Sequence, residues 1–263
     1  MELTPCLGIG DFLILKMICL SEKLTIKKIN FTRKIINNYR QYPERFQQFI
    51  TKFVHCLFPE VEIAIVDSNL DAFPVAKYSI RTPYIYDQIH LTKVSPPIYN
   101  KYIVFHTKVR MECQMAQFVK NDLPLITKFL KTYHTDKTIL IMGERVIEDC
   151  CEKRDLGIIS LYDEYKVLSK NNTVIDLTKD VLFSGNPDYD DFEHDLNLIH
   201  HADLNIIVGI GGPLNICFAM SQHNLAYIGV VNSCKWVKIT YPDTYQDMTQ
   251  FLAKVAKATS MKK

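Results

Sequence analysis

Apolar positions along this chain follow two periods, one typical of buried strands and the other of helices. Short continuous apolar runs such as 61–66 and 204–208 predict buried strands, whereas the stripe through 33–57 recurs at helical spacing. The predicted strands are 2–7, 25–31, 61–66, 102–105, 138–142, 173–175, 204–208 and 225–231. The predicted helices are 11–23, 33–57, 114–133, 160–169, 188–201, 213–222 and 243–258. Strands separated by helices favour an α/β fold with mainly parallel sheets and right-handed crossovers.

The stretch 68–100 interrupts this alternation. Prolines and tyrosines break it into irregular connections with one short strand. A length of 263 residues fits either one large α/β domain or two small ones. Because Pro96-Pro97 is the best linker candidate, we expect an N-terminal lobe at 1–98 and a C-terminal lobe at 99–263.

Composition and charge narrow the class of protein. An apolar content of 48% is ordinary for a globular chain, and a formal charge of +2 argues against a broad nucleic-acid surface. The 8 cysteines form no Cys-x-x-Cys pair, which favours reduced, mostly buried thiols in the cytosol. The apolar run 12–20 contains Lys16, and no run reaches the roughly 20 residues that span a bilayer. These features predict a soluble, cytoplasmic protein without a transmembrane segment.

Two glycine turns carry the strongest functional signal. Gly8-Ile9-Gly10-Asp11 and Gly209-Ile210-Gly211-Gly212-Pro213-Leu214-Asn215 each link a predicted strand to a predicted helix. Such turns present backbone N–H groups and the positive end of a helix dipole to an anion. Two of them predict two α/β units that face one cleft and a phosphorylated ligand. A classical NAD site is disfavoured because Leu13 replaces the third glycine and no acid follows the second strand.

Three further groups lie at predicted strand ends. Asp11 is either the N-cap of its helix or a catalytic group, and both interpretations stay open. Lys108 and Arg110 follow the strand 102–105 and either grip a diphosphate or form a solvated basic loop. Gly143 and Glu144 either approach a ribose or base, or Glu144 pairs with Arg145 on the surface.

Metal-binding patterns are present but weak. Asp188-Tyr189-Asp190 matches an Asp-x-Asp metal motif, yet it opens a predicted helix, where acids more often serve as caps. His194 and His201 are two helical turns apart, too far for one ion, so we predict no metal site.

Together these motifs resemble the GT-B-fold glycosyltransferases, most closely the heptosyltransferase-like group that builds bacterial surface polysaccharides. Leu7-Gly8-Ile9-Gly10-Asp11 is similar to the glycine turn and Asp that open the family's N-terminal domain. The segment 106–110 corresponds to its basic phosphate-binding loop, and Met142-Gly143-Glu144 to its next glycine turn. The segments 202–208 and 209–215 correspond to its last nucleotide-contacting strand and turn.

The resemblance implies two Rossmann-like lobes, with the C-terminal helix packed back toward the first lobe. It implies an inverting, metal-independent transfer of a sugar from a nucleotide-diphosphate donor to a glycan or glycolipid acceptor, with no cofactor. Asp11 would be the general base. The residues implied in nucleotide-sugar binding are Gly8, Gly10, Lys108, Arg110, Gly143, Glu144, Gly211, Gly212, Pro213 and Asn215.

Two other classes of function stay open. One is a noncatalytic nucleotide- or glycan-binding protein of the same fold. The other is a sugar-nucleotide epimerase or hydrolase, which requires further acids and a histidine converging on the sugar.

Overall fold

The computed structural model describes residues 2–3, 9–32, 43–67, 79–80, 83–91, 101–111, 114–145, 157–179, 189–229 and 238–260. Gly8 and the predicted linker Pro96-Pro97 lie outside these ranges.

In the first half of the chain, residues 1–98, the described part contains a three-stranded parallel sheet and two helices. The sheet has the order β1-β2-β3, and its strands are β1 (Glu2–Leu3), β2 (Lys28–Thr32) and β3 (Glu62–Val66). The helices are α1 (Ile9–Glu22) and α2 (Pro43–Leu57). Most of α1 is apolar and buried, and the ammonium of Lys16 donates to Leu57 O at 2.7 Å, which ties α1 to the end of α2.

The second half forms a six-stranded parallel sheet. Its strands, in chain order, are β5 (Tyr102–His106), β7 (Thr138–Met142), β9 (Val174–Asp176), β10 (Leu204–Val208), β11 (Asn224–Tyr227) and β13 (Thr244–Tyr245). The strands lie in the order β13-β11-β10-β5-β7-β9, and each neighbouring pair is parallel. Numbered within this sheet, the order is 3-2-1-4-5-6 from β9, the order of Rossmann-like folds. The direction of winding therefore reverses between β5 and β10, where such folds bind their ligands.

Short strand pairs and further helices complete the described structure. Two further pairs are β4 (Ser79–Ile80) with β12 (Lys238–Ile239), parallel, and β6 (Lys108–Arg110) with β8 (Ile158–Ser160), antiparallel. The helices are α3 (Met115–Gln117), α4 (Leu123–Thr132), α5 (Tyr162–Tyr165), α6 (Tyr189–His201), α7 (Gly212–Met220) and α8 (Met248–Thr259). A π-helical turn at Phe118–Asp122 joins α3 to α4, and 3-10 turns occupy Tyr86–Gln88 and Lys166–Lys170.

The six-stranded sheet has a buried apolar cluster on each face. Alternate residues of β5 divide between them: Tyr102 and Val104 belong to one cluster, Ile103 and Phe105 to the other. The first cluster also holds the buried side chains of α1, α2, α6 and α7. Apolar packing is therefore continuous across the predicted domain boundary at 98/99, and the boundary itself stays a prediction.

The α/β class and most predicted elements are confirmed. Strands 138–142 and 204–208 have the predicted bounds, and α1 differs from its predicted range by two residues at its start. The predicted packing of the C-terminal helix against the first lobe was wrong: among the described residues, α8 packs within the second half. Its buried residues Met248, Phe251 and Val255 pack in the cluster formed by residues 103–255, against β11, β13 and α4.

Candidate ligand site at the carboxyl edge of the sheet

The second glycine turn joins β10 to α7 at the reversal point of the sheet. Gly209 has a φ of 102°, and a Cβ there would lie 2.7 Å from Arg110 N and 2.8 Å from Arg110 O. Glycine is therefore required by both the backbone conformation and the contact with β6. Ile210 N donates to Arg110 O at 2.9 Å, so β6 runs directly beside the turn. Pro213 occupies the first turn of α7, where its missing N–H costs no helical hydrogen bond.

The two glycine turns predicted to face one another do meet. A Cβ on Gly10 would lie 2.9 Å from Asn215 Nδ2 and 3.6 Å from Gly212 Cα. The first turns of α1 and α7 are therefore in contact although about 200 residues separate them along the sequence. The side chain of Asn215 is also held by Tyr241, whose hydroxyl donates to its Oδ1. This meeting places the N-termini of two helices, the positive ends of their dipoles, at one place.

Asp11 lies in the first turn of α1 and is partly exposed. The helix begins at Ile9, so Asp11 is its third residue rather than its N-cap. A carboxylate in the first helical turn is stabilised by the helix dipole. Since Gly10 touches Gly212 and Asn215, Asp11 is next to the meeting point of the two helices.

The basic segment after β5 is a strand, not the loop that the sequence indicated. Lys108–Arg110 forms β6, which pairs with β8. Side chains alternate along a strand, and Val109 is fully buried in the second cluster, so Lys108 and Arg110 share the opposite face. A Cβ on Gly211 would lie 3.2 Å from Arg110 Cδ, which places the Arg110 side chain against the start of α7.

Glu144 and Arg145 do not form the surface ion pair that the sequence left open as an alternative. Glu144 is buried, and its carboxylate oxygens lie 3.3 and 3.4 Å from Lys108 Nζ. Arg145 instead donates to Thr178 Oγ1 at 2.8 Å and lies 3.6 Å from the Asp176 carboxylate. The ion pair of Lys108 with Glu144 joins the start of β6 to the segment that follows β7.

A small pocket of about 90 Å³ opens at this edge, between the sheet, α6 and α7. Its apolar wall consists of Met142, Phe192, Leu196, Ile199, Pro213 and Ile216. Lys108 and Asp195 are its charged members. Burial raises the pKa of Asp195, and Lys179, 3.0 Å from the carboxylate, partly offsets that shift.

A thiol and an imidazole also line this pocket, and the sequence analysis missed their pairing. Cys217 Sγ lies 3.1 Å from His106 Nε2, and Asn205 Oδ1 lies 3.5 Å from the same nitrogen. Burial lowers the pKa of His106 to about 4 and raises the pKa of Cys217 well above its usual value. Both groups are therefore neutral, and the pair lacks the thiolate that a nucleophilic cysteine needs. His106 is about 100 positions from Asn205 and Cys217, so no local signal in the sequence connects it with them.

The remaining predictions about the site concern Gly143, the cysteines and possible metal ligands. Gly143 has a φ of 116° and packs on Thr107. The described cysteines Cys19, Cys56 and Cys217 are buried and not in disulfides, as predicted. The side chains of Asp188 and Asp190 lie outside the described part, as do those of residues 4–8. Within the described ranges, no group of three or more His, Cys, Asp or Glu could hold a metal ion. No helix in that same part of the chain is long and apolar enough to cross a membrane.

Comparison with known proteins gives no match: no protein family, no curated protein and no solved structure matches the chain. The resemblance to heptosyltransferases therefore rests on the motifs in the sequence.

Proposed function

We propose that this chain is a glycosyltransferase that binds a nucleotide-diphosphate sugar at the carboxyl edge and transfers the sugar to an acceptor hydroxyl with inversion. One observation carries the proposal: the first turns of α1 and α7 meet at Gly10, Gly212 and Asn215, beside the basic face of β6. Two convergent helix N-termini concentrate N–H donors and partial positive charge, the environment that a diphosphate prefers.

Lys108 and Arg110 would neutralise the diphosphate as it leaves. The guanidinium of Arg110 can donate to two phosphate oxygens at once, whereas the ammonium of Lys108 acts as a point charge. Lys108 already pairs with Glu144 at 3.3 Å, so a phosphate would compete with that carboxylate. Negative charge grows on the diphosphate as the glycosidic bond breaks, and fixed donors at this place lower the barrier.

Asp11 would take the proton from the acceptor hydroxyl of a glycan or glycolipid. It follows Gly10 directly, so it is next to the proposed diphosphate site and on a different helix from α7. The helix dipole stabilises the carboxylate, which is the form that accepts a proton. A single base opposite the leaving group gives inversion at the anomeric carbon.

Noncatalytic binding of a nucleotide or glycan is the second candidate function, and the pocket that the described residues form at this edge is small for either one. The pocket formed by described residues at this edge has a volume of about 90 Å³. Sites for drug-sized ligands usually enclose about 300–1,000 Å³. An epimerase or hydrolase gains no comparable support, because the histidine at this edge, His106, is buried and paired with Cys217.

Binding is tested by thermal unfolding with a panel of nucleoside diphosphates and nucleotide sugars. A ligand that binds only the folded chain adds about 2.7 kcal/mol to its stability at a hundredfold excess over Kd. Arg110→Ala should lose most of that stabilisation, since a charge-assisted hydrogen bond contributes about 1.5–3 kcal/mol. Lys254→Ala is the control because Lys254 is an exposed cation on α8. If Arg110→Ala keeps the full effect of the ligand, the diphosphate does not bind there.

Transfer is tested separately with Asp11→Asn. The variant should lose about 10²–10⁴ in the rate of sugar transfer and keep its affinity for the nucleotide. Binding without transfer in the wild-type chain would support the noncatalytic candidate instead. Loss of nucleotide affinity in Asp11→Asn would mean that Asp11 stabilises the fold and is not the base.

A further inference from the structure

A second pocket lies at the opposite, amino edge of the six-stranded sheet. Its volume is about 470 Å³, within the range of about 300–1,000 Å³ usual for small-molecule sites. Its walls come from the residues that precede β7, β10 and β11, from the end of α6 and from Tyr84. The polar residues that line it are Tyr84, Lys137, His200, His201, Asp203, Gln222 and His223. None of them belongs to the site proposed above.

His200 is held in a fixed orientation at the base of this pocket. Its Nδ1–H donates to Met220 O, the last carbonyl of α7, at 2.8 Å. Its ring stacks on Tyr86 with a centroid separation of 3.4 Å and an interplanar angle of 5°. The carbonyl can only accept, so Nδ1 carries a proton and Nε2 is the nitrogen that gains one in acid. His201 lies beside it with ring centroids 4.6 Å apart.

The fixed charges around the pocket give no excess of positive charge while the histidines are neutral. Lys137 Nζ lies 2.7 Å from the Asp203 carboxylate, which neutralises it. A second carboxylate, Asp87, is hydrogen-bonded to Tyr84, and burial raises the pKa of that tyrosine. The C-terminal ends of α6 and α7 add the negative ends of two helix dipoles. Protonation of an imidazole in the pocket shifts this balance toward positive charge.

We propose that the amino-edge pocket binds a small molecule bearing an oxyanion, a phosphate or a carboxylate, through the side chains of His200, His201 and His223. Lys137, Gln222 and Tyr84 supply further donors around the anion. An imidazolium holds an oxyanion more tightly than a neutral imidazole does, so binding is coupled to proton uptake and affinity rises as the pH falls.

The electrostatics of the histidine pair agree with this coupling. Burial, and then the charge of His200, lowers the pKa of His201. Two adjacent imidazolium rings repel one another, and an anion bound beside both rings offsets the repulsion. The pKa of His201 is therefore higher with the anion bound than without it, and by linkage the anion binds more tightly at lower pH.

Sulfate is the probe that isolates the histidines, because it stays a dianion throughout the working range. Sulfate is titrated against chloride at constant ionic strength, and the ring C–H chemical shifts of the histidines report binding. We expect the shifts of His200, His201 and His223 to move together and the apparent Kd to weaken at least tenfold between pH 5.5 and pH 7.5. An affinity that is constant over this range would overturn the proposal.

Variants separate this pocket from the carboxyl edge, which is also expected to bind anions. Both His201 and His223 are exposed, so the double variant His201→Gln, His223→Gln should fold normally and lose the pH-dependent binding. His55→Gln, an exposed histidine on α2, is the matched control, and Arg110→Ala should leave the effect intact. Unchanged sulfate binding in the double variant would contradict the proposal even if the carboxyl edge binds nucleotides.

Competition identifies the class of oxyanion. At pH 5.5, methyl phosphate or acetate is added to the sulfate complex while the same histidine resonances are followed. Displacement by methyl phosphate alone assigns a phosphate ligand, and displacement by acetate alone assigns a carboxylate. Displacement by neither would show that the pocket takes neither a phosphate nor a carboxylate, and the proposal would be wrong.

Discussion

The two edges of the six-stranded sheet differ in how their polar groups are held. At the carboxyl edge, backbone contacts through Gly209 are tight, the pocket measures about 90 Å³, and His106 is 6% exposed. At the amino edge, the pocket measures about 470 Å³ and two of its histidines, His201 and His223, are exposed. The environments of the histidines therefore differ: burial lowers the pKa of His106 to about 4, whereas His201 and His223 face solvent.

This difference shows that strand-end position alone does not define a ligand site. Parallel sheets of this order bind ligands at the carboxyl edge because helix N-termini and strand ends converge there. The same topology gathers helix C-termini at the amino edge, and cations are stabilised there. The chain places histidines at those C-termini, so the two proposed anion sites differ in their donors: lysine and arginine at one edge, imidazoles at the other.

The largest effect is expected from Gly209→Ala, which tests the tight packing of the carboxyl edge. A methyl group there would meet Arg110 N and O at 2.7 and 2.8 Å, at a φ of 102°. Backbone strain and overpacking together should lower the free energy of unfolding by about 4 kcal/mol. Gly212→Ala is the control in urea denaturation, because nothing lies within 4 Å of its Cβ position. Equal stability of the two variants would mean that the turn does not pack on β6 as described.

Acid should expose the contrast between the histidines of the two edges. The pKa of His106 is lowered to about 4 by burial, so between pH 6.5 and pH 4 the unfolded chain binds a proton that the folded chain does not. The free energy of unfolding should therefore fall by about 3 kcal/mol as the pH drops through this window. Urea denaturation at several pH values measures the slope. His106→Gln should flatten it, and His55→Gln should leave it as in the wild type.

A tenfold effect on binding is expected from Gly212→Ala, although the same variant should be stable. Its new methyl group would lie in open space at the start of α7, in the place proposed for the diphosphate. Loss of one close backbone approach should weaken nucleoside diphosphate binding by about 1.4 kcal/mol, which is tenfold in Kd. Calorimetric titration measures this, with sulfate binding at the amino edge as the internal control. Full retention of nucleotide affinity would move the proposed diphosphate away from α7.

The fold was predictable where local pattern and burial agree. Strands 138–142 and 204–208 lie in the middle of a parallel sheet with both faces covered, so their sequences are continuous apolar runs with clear ends. Strand β6 was missed because its lysine and arginine are typical of a loop. Its pairing with β8 also depends on a partner about 50 residues away, which no local pattern records.

The candidate site was predictable only in part, for a similar reason. Glycine turns after strands correctly indicated that Gly10 and Gly212 face one place, since topology brings such turns together. The cluster of His106, Asn205 and Cys217 depends on which side chains meet across β5, β10 and α7. The amino-edge pocket was missed because His201 was considered as a metal ligand together with His194 on one helix, without His223 before β11 and Lys137 before β7.

The smallest effect concerns the ion pair that neutralises the amino edge. Lys137 and Asp203 lie 2.7 Å apart and each keeps roughly a third of its side chain exposed, so solvent screens their attraction. A double-mutant cycle with Lys137→Met and Asp203→Asn should give a coupling of about 0.5 kcal/mol in urea denaturation. Asp203→Asn alone should also tighten sulfate binding at pH 5.5, because it removes a negative charge from the wall and leaves Lys137 to the anion. Weaker sulfate binding in that variant would show that Asp203 positions the lysine for the anion rather than competing with it.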